Sequence, residues 1–300
     1  MAATEDRISK DIKPKLQLTL FGLIRDEASC QPGPEKTEEY NQAWIAAQAL
    51  QLFEHVGHGR QNEAEVIIRK NIELLKYRPF SSFQDITGVS FSGTAFQYAL
   101  WAMDTHMYTM MIDCLPQTEQ GEEIRKDLLK QAEEQKEHFD FQPLIKALKI
   151  YVFCFNGWNW EQRKAHWSKV IGGVQQNLPA HVRHEYCHPT RSFYPVPSFT
   201  DKILTRSLNF YNLQNELLMK WDAGISGLGS DFAIGGRRLP SESGGLASPG
   251  GDRATAVNDL AGITALCAVR TTDLVLLKQR LQLPIQQPDK VQDVAGLTFS

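Results

Sequence analysis

Between Gly59 and Pro116 two helical patterns flank a turn-rich insert, and this alternation constrains the fold more than any other part of the sequence. A helix beginning at Tyr40 carries Ala43, Ala46, Ala47, Leu50 and Phe53 at helical spacing and should stop at Gly57 or Gly59. Asn62-Glu63 then opens a second helix with Ala64, Ile67, Ile68, Leu74 and Leu75 on one face, which makes a hairpin. The insert from Lys76 to Gly93 exceeds the usual ~2–8 residues between packed helices and suits a finger-like loop or an exposed binding edge. Thr94 to Ala102 is apolar nearly all round, so it must be buried between neighbours. Asp104-Thr105 caps a fourth helix holding Met107, Met110, Met111, Ile112 and Leu115, and Pro116 ends it.

Downstream, residues 117 to 139 form a charged outer helix with a sparse stripe of Ile124, Leu128, Leu129 and Ala132. Phe141 to Phe155 reads as a buried helix through Leu144, Ile145, Leu148 and Val152. The next segment holds Trp158, Trp160 and Trp167, which read as core, and Gly172-Gly173 allows a turn or a close crossing. Pro189, Pro195 and Pro197 impose an extended path, and a helix is expected from about Arg206 to Trp221. Nine glycines between Gly224 and Gly251 mark a flexible loop or lid. Leu260, Ile263, Leu266 and Cys267 form a further helix, with Thr271-Thr272-Asp273 capping another that ends before Pro284. The expected divisions are an N-terminal segment 1–39, a helical module 40–157, a Trp/His segment 158–253, a helix pair 254–284 and a tail 285–300, with 40–284 able to form one compact domain. The fold class expected is all-α, built from stacked helix hairpins with one long Gly-rich loop.

With 300 residues, a net charge of -3 and a pI near 6.3, the chain has no basic field for nucleic acid or an anionic membrane. Five scattered cysteines without a CxxC pair suit a reducing compartment. The polar start MAATEDRISKDIKPK lacks the apolar core of a signal peptide, and no stretch reaches ~18 uninterrupted apolar residues, so no transmembrane segment is expected. Export from the cell that makes it would then need a route that uses no N-terminal signal.

Thr94-Ala95-Phe96-Gln97-Tyr98-Ala99 resembles the Thr-Pro-Leu-His-x-Ala start of an ankyrin-type helix, with Ala95 and Gln97 departing from the pattern. Gly262 to Leu281 resembles a second, weaker copy, in which Val269 stands where Ala is expected. The expected core is therefore degenerate ankyrin-like. More broadly, FQYALWAMDTHMYTMMIDCLP, VIGGVQQNLPAHVRHEYC and RSFYPVP resemble paralogous proteins of intracellular bacterial pathogens that a type IV apparatus exports into host cells. That resemblance spans about residues 40–285. It implies export into a host cell and no mechanism or cofactor, and the ankyrin-like scaffold is what points to binding a host protein.

The densest polar run is His181-Val182-Arg183-His184-Glu185-Tyr186-Cys187-His188. On a helix, His181, His184 or Glu185, and His188 share a face, since steps of three and four residues align. Such a face can hold a divalent metal, but the spacing is not HExxH, and no metal or cofactor is assigned. His181 can act as general base with Glu185 orienting it. A serine with His-x-x-x-Glu resembles the motif of one group of secreted adenylyl-transferring effectors, with Ser168 or Ser192 as the serine. That resemblance carries the alternative to the binding reading, a group-transferring enzyme with a nucleotide as its substrate and the Gly-rich loop as its lid. A hydrolase is the other enzyme class weighed. Cys187 could serve as a thiol nucleophile with His184 or His188 as base. The bland counterpart of all three is a helix whose polar residues anchor the Pro-rich segment. Asp104 and His106 are expected at an exposed loop tip that meets a partner, and Gly235-Gly236-Arg237-Arg238 could receive an anion.

Overall fold

The computed structural model describes residues 38–79, 82–221, 227–236 and 246–284. Helices α1 (Glu38–Gly57) and α2 (Gln61–Lys70) lead to strands β1 (Phe83–Gln84) and β2 (Ser90–Phe91). Helices α3 (Ala95–Trp101), α4 (Thr105–Asp113), α5 (Glu119–Glu134), α6 (Gln142–Cys154) and α7 (Trp160–Ala165) follow, and α7 runs on into a π-helical turn, His166–Gly172. After α8 (Ala180–Tyr186) come β3 (Asn209–Asn212), β4 (Leu217–Lys220), β5 (Ala233–Gly235), β6 (Leu246–Ser248) and the 30-residue α9 (Arg253–Gln282).

The fold is mixed, and this overturns the expected all-α stack of helix hairpins. Strands β1 and β2 form a small antiparallel finger in the insert, and a four-stranded sheet has the order β4-β3-β6-β5. In that sheet β3 pairs parallel with β6, and the other two pairings are antiparallel. The helix expected over Arg206–Trp221 is instead the β3–β4 hairpin. The carboxamide of Asn212 accepts from the Gln214 amide (2.9 Å) and that of Asn215 from the Leu217 amide (3.3 Å). Such Asx turns offer the backbone an alternative to helical bonds. Phe210 and Asn212 then alternate inward with Asn209 and Tyr211 outward.

The expected helix pair at the C-terminal end is also corrected. No cap breaks α9, because the hydroxyls of Thr264, Thr271 and Thr272 donate to the carbonyls four residues back (2.6, 2.8 and 3.1 Å). Asp273 caps nothing there and accepts from Thr105 and Arg270. By length and composition α9 could cross a membrane, with a mean hydropathy of 1.6 in its most apolar window. Here it packs along α6, α5 and α4, buries Ile263 and Leu266 completely, and carries the buried polar side chains of Asp259 and Arg270.

The N-terminal hairpin forms, but Leu50 is 36% exposed and Leu74 and Leu75 lie beyond α2 in a 3-10 turn, Ile72–Lys76. Leu52, Phe53 and Val56 of α1 and Ala64 and Ile68 of α2 are buried together. Gly59 turns the chain between the two helices at φ +70°, a conformation that favours glycine. Thr94 closes a capping box with Gln97 at the start of α3, and Asp104 caps α4 by accepting from the Met107 amide (3.1 Å). Met103, Met107, Met110 and Met111 fill the core. Among the three tryptophans Trp167 is fully buried and Trp160 is 55% exposed. At the π-helical turn, a Cβ on Gly172 would meet the Gly229 nitrogen at 2.6 Å and the Phe232 oxygen at 2.7 Å, so the helix crosses that loop backbone to backbone.

Candidate functional site

Helix α8 starts after Pro179 and ends at Cys187, and each of its seven residues is buried. Its charges are therefore held inside the protein, where each needs a partner. Arg183 donates to the carbonyls of Leu178 (2.8 Å) and Gln176 (2.7 Å) and lies 5.3 Å over the Trp221 ring. It ties α8 to the end of the preceding helix.

Glu185 is 1% exposed and sits between two guanidinium groups. One carboxylate oxygen accepts from Arg270 of α9 (3.2 Å), the other from Arg191 of the Pro-rich segment. Arg191 also pairs with Asp201, while Arg270 also bonds Asp273 (2.9 Å) and the Phe199 carbonyl (3.2 Å). Burial pushes the Glu185 carboxyl up, and Arg191 and Arg270 pull it down. Asp104 faces Arg206 through two bonds (2.7 and 3.0 Å), and Arg206 reaches on to Gln61 of α2 (2.9 Å). Burial would raise the Asp104 carboxyl, but Arg206 and His181 hold it far below the usual carboxylate range.

Three histidines lie within this network. His181 is 1% exposed and neither of its ring nitrogens has a hydrogen-bond partner. Burial pushes it down to about 3, with Asp104 opposing and Arg270, Arg206 and His106 adding to the depression. The Nδ1 of His184 bonds the Ser207 carbonyl (2.8 Å) and the Nε2 of His106 bonds the Asp201 carbonyl (2.8 Å). In neutral imidazoles those nitrogens carry the proton, which leaves His184 Nε2 and His106 Nδ1 bare. Both rings are lowered to about 4, mainly by burial.

Asp104, His106, His181 and Glu185 thus belong to one closed, ion-paired cluster. The expectation that Asp104 and His106 stand at an exposed tip is corrected, because they are 4% and 7% exposed. Arg206 and the Pro-rich segment close over the turn that carries them. The face-sharing of His181 and Glu185 on α8 is present, yet no hydrogen bond joins them, and both Glu185 oxygens serve arginines. Ser168 is buried and donates to the Lys164 carbonyl (2.5 Å), and Ser192 donates to the Tyr194 carbonyl (2.6 Å). Cys187 is fully buried at the end of α8. No group of His, Cys, Asp or Glu among the described residues is arranged to hold a metal ion. Arg237 and Arg238 lie outside the described residues. The neighbouring Gly236 amide, expected to receive an anion, donates to Asp259 Oδ1 (2.8 Å).

Two grooves of about 560 Å³ open elsewhere. One is lined by Glu161, Lys164, Ser168, Lys169, Gln214 and Asp231 among others. The second lies between the ends of α4 and α9, with Ile112, Leu115, Arg125 and Leu281 in its walls. His181, Glu185 and Cys187 line neither. Sequence reasoning found α8 but missed Arg206, Arg270, Arg191 and Asp273. Arg206 reaches Asp104 across 102 residues and Arg270 reaches Glu185 across 85, separations that leave no local pattern.

A family model described as the CBUA0006 C-terminal domain matches residues 143–281, from the start of α6 to the end of α9. A protein of Coxiella burnetii (strain RSA 493 / Nine Mile phase I), named uncharacterized protein CBUA0006, is 35% identical over 260 residues. That match covers 76% of this chain and 74% of the relative. No solved structure matches.

Proposed function

The chain belongs to the family of Coxiella burnetii CBUA0006, and on that premise we propose that it is a secreted, effector-like protein that acts by binding a host protein. The observation that carries the binding half of this reading is the closure of the α8 cluster. A general base must reach the proton it removes, and His181 and Glu185 are each 1% exposed, with Glu185 held by two arginines. The cluster serves as an internal clamp joining α2, α4, α8, α9 and the Pro-rich segment. Contact surface lies outside it: Phe153 on α6 is 89% exposed, with Ile150 one turn before it at 48%. The secretion half rests on the resemblance of the stretches around Phe96–Pro116, Val170–Cys187 and Arg191–Pro197 to type IV-exported paralogues.

A reporter fused to the chain, expressed in its bacterium with and without a working type IV apparatus, tests export. Signal in host cells only when the apparatus works is expected, and equal signal in both strains overturns it. For the binding half, Phe153→Asp should lose a cross-linked host protein that the wild type retains, at an unchanged melting temperature. The transferase alternative predicts that labelled nucleotide is passed to a host protein and that His181→Gln stops it without unfolding the chain. That result would replace the binding reading.

A further inference from the structure

Between the buried Phe199 and strand β3 the chain runs over α4 and α8 as a short strap, residues 200–207, with no helix or strand of its own. Among the described residues no main-chain hydrogen bond joins this strap to another element. Side chains tie it down instead, and most of them belong to one cluster. His106 of α4 donates to the Asp201 carbonyl near one end, and His184 of α8 donates to the Ser207 carbonyl at the other (each 2.8 Å). Between them Arg206 bonds Asp104 (2.7 and 3.0 Å) and Gln61 (2.9 Å), Arg191 pairs with the Asp201 carboxylate, and Leu204 is buried. We propose that the strap is an acid-released latch: protonation of His106, His181 and His184 lets residues 200–207 swing off α4 and α8 while the helical core stays folded.

The strap's carbonyls decide which form of each ring the closed state can hold. A carbonyl only accepts, so His106 Nε2 and His184 Nδ1 keep their protons, and a second proton must enter at His106 Nδ1 or His184 Nε2. Both of these atoms are buried without an acceptor, and neither nitrogen of His181 has one. The Gly59 turn presses so closely on His184 that a Cβ there would stand 2.8 Å from Nε2. The charged groups facing the three rings are Asp104 from the cap of α4, Arg270 and Asp273 from α9, Arg183 from α8 and Arg206 from the strap. Arg206 already takes Asp104, and Arg270 already takes Asp273. A new imidazolium in the closed cluster therefore meets guanidinium charge while both carboxylates are engaged, and the closed state keeps its rings neutral.

Opening exchanges the partner of Asp104 and leaves its charge compensated. Arg206 departs with the strap, and His106 and His181, whose rings act on Asp104, carry positive charge in its place once each has taken a proton from solvent. The core is held differently. Helices α1 and α2 join through Leu52, Phe53, Ala64 and Ile68, and α6 packs on α9 with Leu144, Leu148, Ile263 and Leu266 buried. Phe199, 1% exposed, and the β3–β4 pairing fix the two ends of the strap.

Proteinase K digestion of the full chain from pH 7.5 to pH 5 tests the latch, with cleavage after Ile203 and Leu204 read by mass spectrometry. Each rate is divided by that of a peptide of residues 198–209 at the same pH, which leaves the opening equilibrium. Neutral rings stabilise the closed strap above about 6.5, and that contribution is lost as pH falls below it. The relative rate should be flat above this value and rise below it by about tenfold per pH unit for each histidine that takes a proton, up to about a thousandfold for three. His184→Asn and His106→Gln each keep a donor for the strap carbonyl without a second proton site. Each should lower the slope by about tenfold per pH unit, with circular dichroism unchanged at pH 7.5. If either fails to fold, His181→Asn, at a ring that makes no hydrogen bond to the strap, gives the same reading. A relative rate that stays flat to pH 5, folded variants that keep the wild-type slope, or bonds in α1 cut in step with those of the strap would overturn the proposal.

Discussion

Asp104 and Arg206 stand 102 residues apart in the chain and are joined by two hydrogen bonds of 2.7 and 3.0 Å inside the protein. The same carboxylate caps α4 through the Met107 amide, so one side chain both starts a helix and holds the segment that leads into β3. Arg206→Met leaves that carboxylate buried and alone, and should cost about 3–5 kcal/mol. Adding Asp104→Asn removes the stranded charge, so the double variant should be more stable than Arg206→Met. Urea unfolding of the wild type, both single variants and the double variant measures the difference. Independent, additive losses would show that the pair is not coupled.

Three of the buried histidines, His106, His181 and His184, set an acid limit on the fold. Their folded values of about 3 for His181 and about 4 for His106 and His184 lie below the ordinary 6.5, so the folded chain binds fewer protons than the unfolded one. Their contribution is fully present above about 6.5 and is lost as pH falls from there toward 4 and 3. Asp104, with its depressed value, adds a further loss below the ordinary carboxylate range. Urea midpoints should therefore hold from pH 7.5 to about 6.5 and fall from there to pH 4, and His181→Asn should flatten that slope.

Asp259 has the opposite sign. Burial raises its carboxyl well above the ordinary value, Oδ1 accepts from the Gly236 amide, and Oδ2 has no partner. A raised carboxyl contributes stability while protonated and loses it as pH rises through its folded value. Asp259→Asn keeps the acceptor and the volume without the charge. It should melt above the wild type at pH 9 and close to it at pH 5, which differential scanning calorimetry can read.

Cys187 and Cys114 are both buried, and burial pushes the Cys114 thiol up to about 11. Thiolate is the reactive form, so both should resist iodoacetamide at pH 8 in the folded protein and react at once in urea. Mass spectrometry of labelled peptides would show the contrast. Rapid labelling of folded Cys187 would reopen its use as a nucleophile.

What the sequence disclosed was local. The hairpin of α1 and α2 and the cap at Asp104 each depend on residues close along the chain, and their spacing predicted them, while the capping box of Thr94 and Gln97 went unread. The β3–β4 hairpin was not legible because the two asparagines that bend the chain act through hydrogen bonds two residues along and carry no period. The break expected at Thr271 failed because a threonine hydroxyl can bond back along a helix as readily as cap one. The α8 run was found as a polar cluster, but whether such a cluster is a site or a clamp depends on Arg206 and Arg270, distant residues that no spacing rule links to it.

Gln175 carries one more consequence. Sheets grow into filaments only when both margins can accept a strand, and its carboxamide blocks β5 in every copy by donating to the Ile234 carbonyl (2.6 Å) and accepting from the Ile234 amide (2.9 Å). A strand from another chain is therefore kept off β5, and Gln175→Ala is the change that would open that margin.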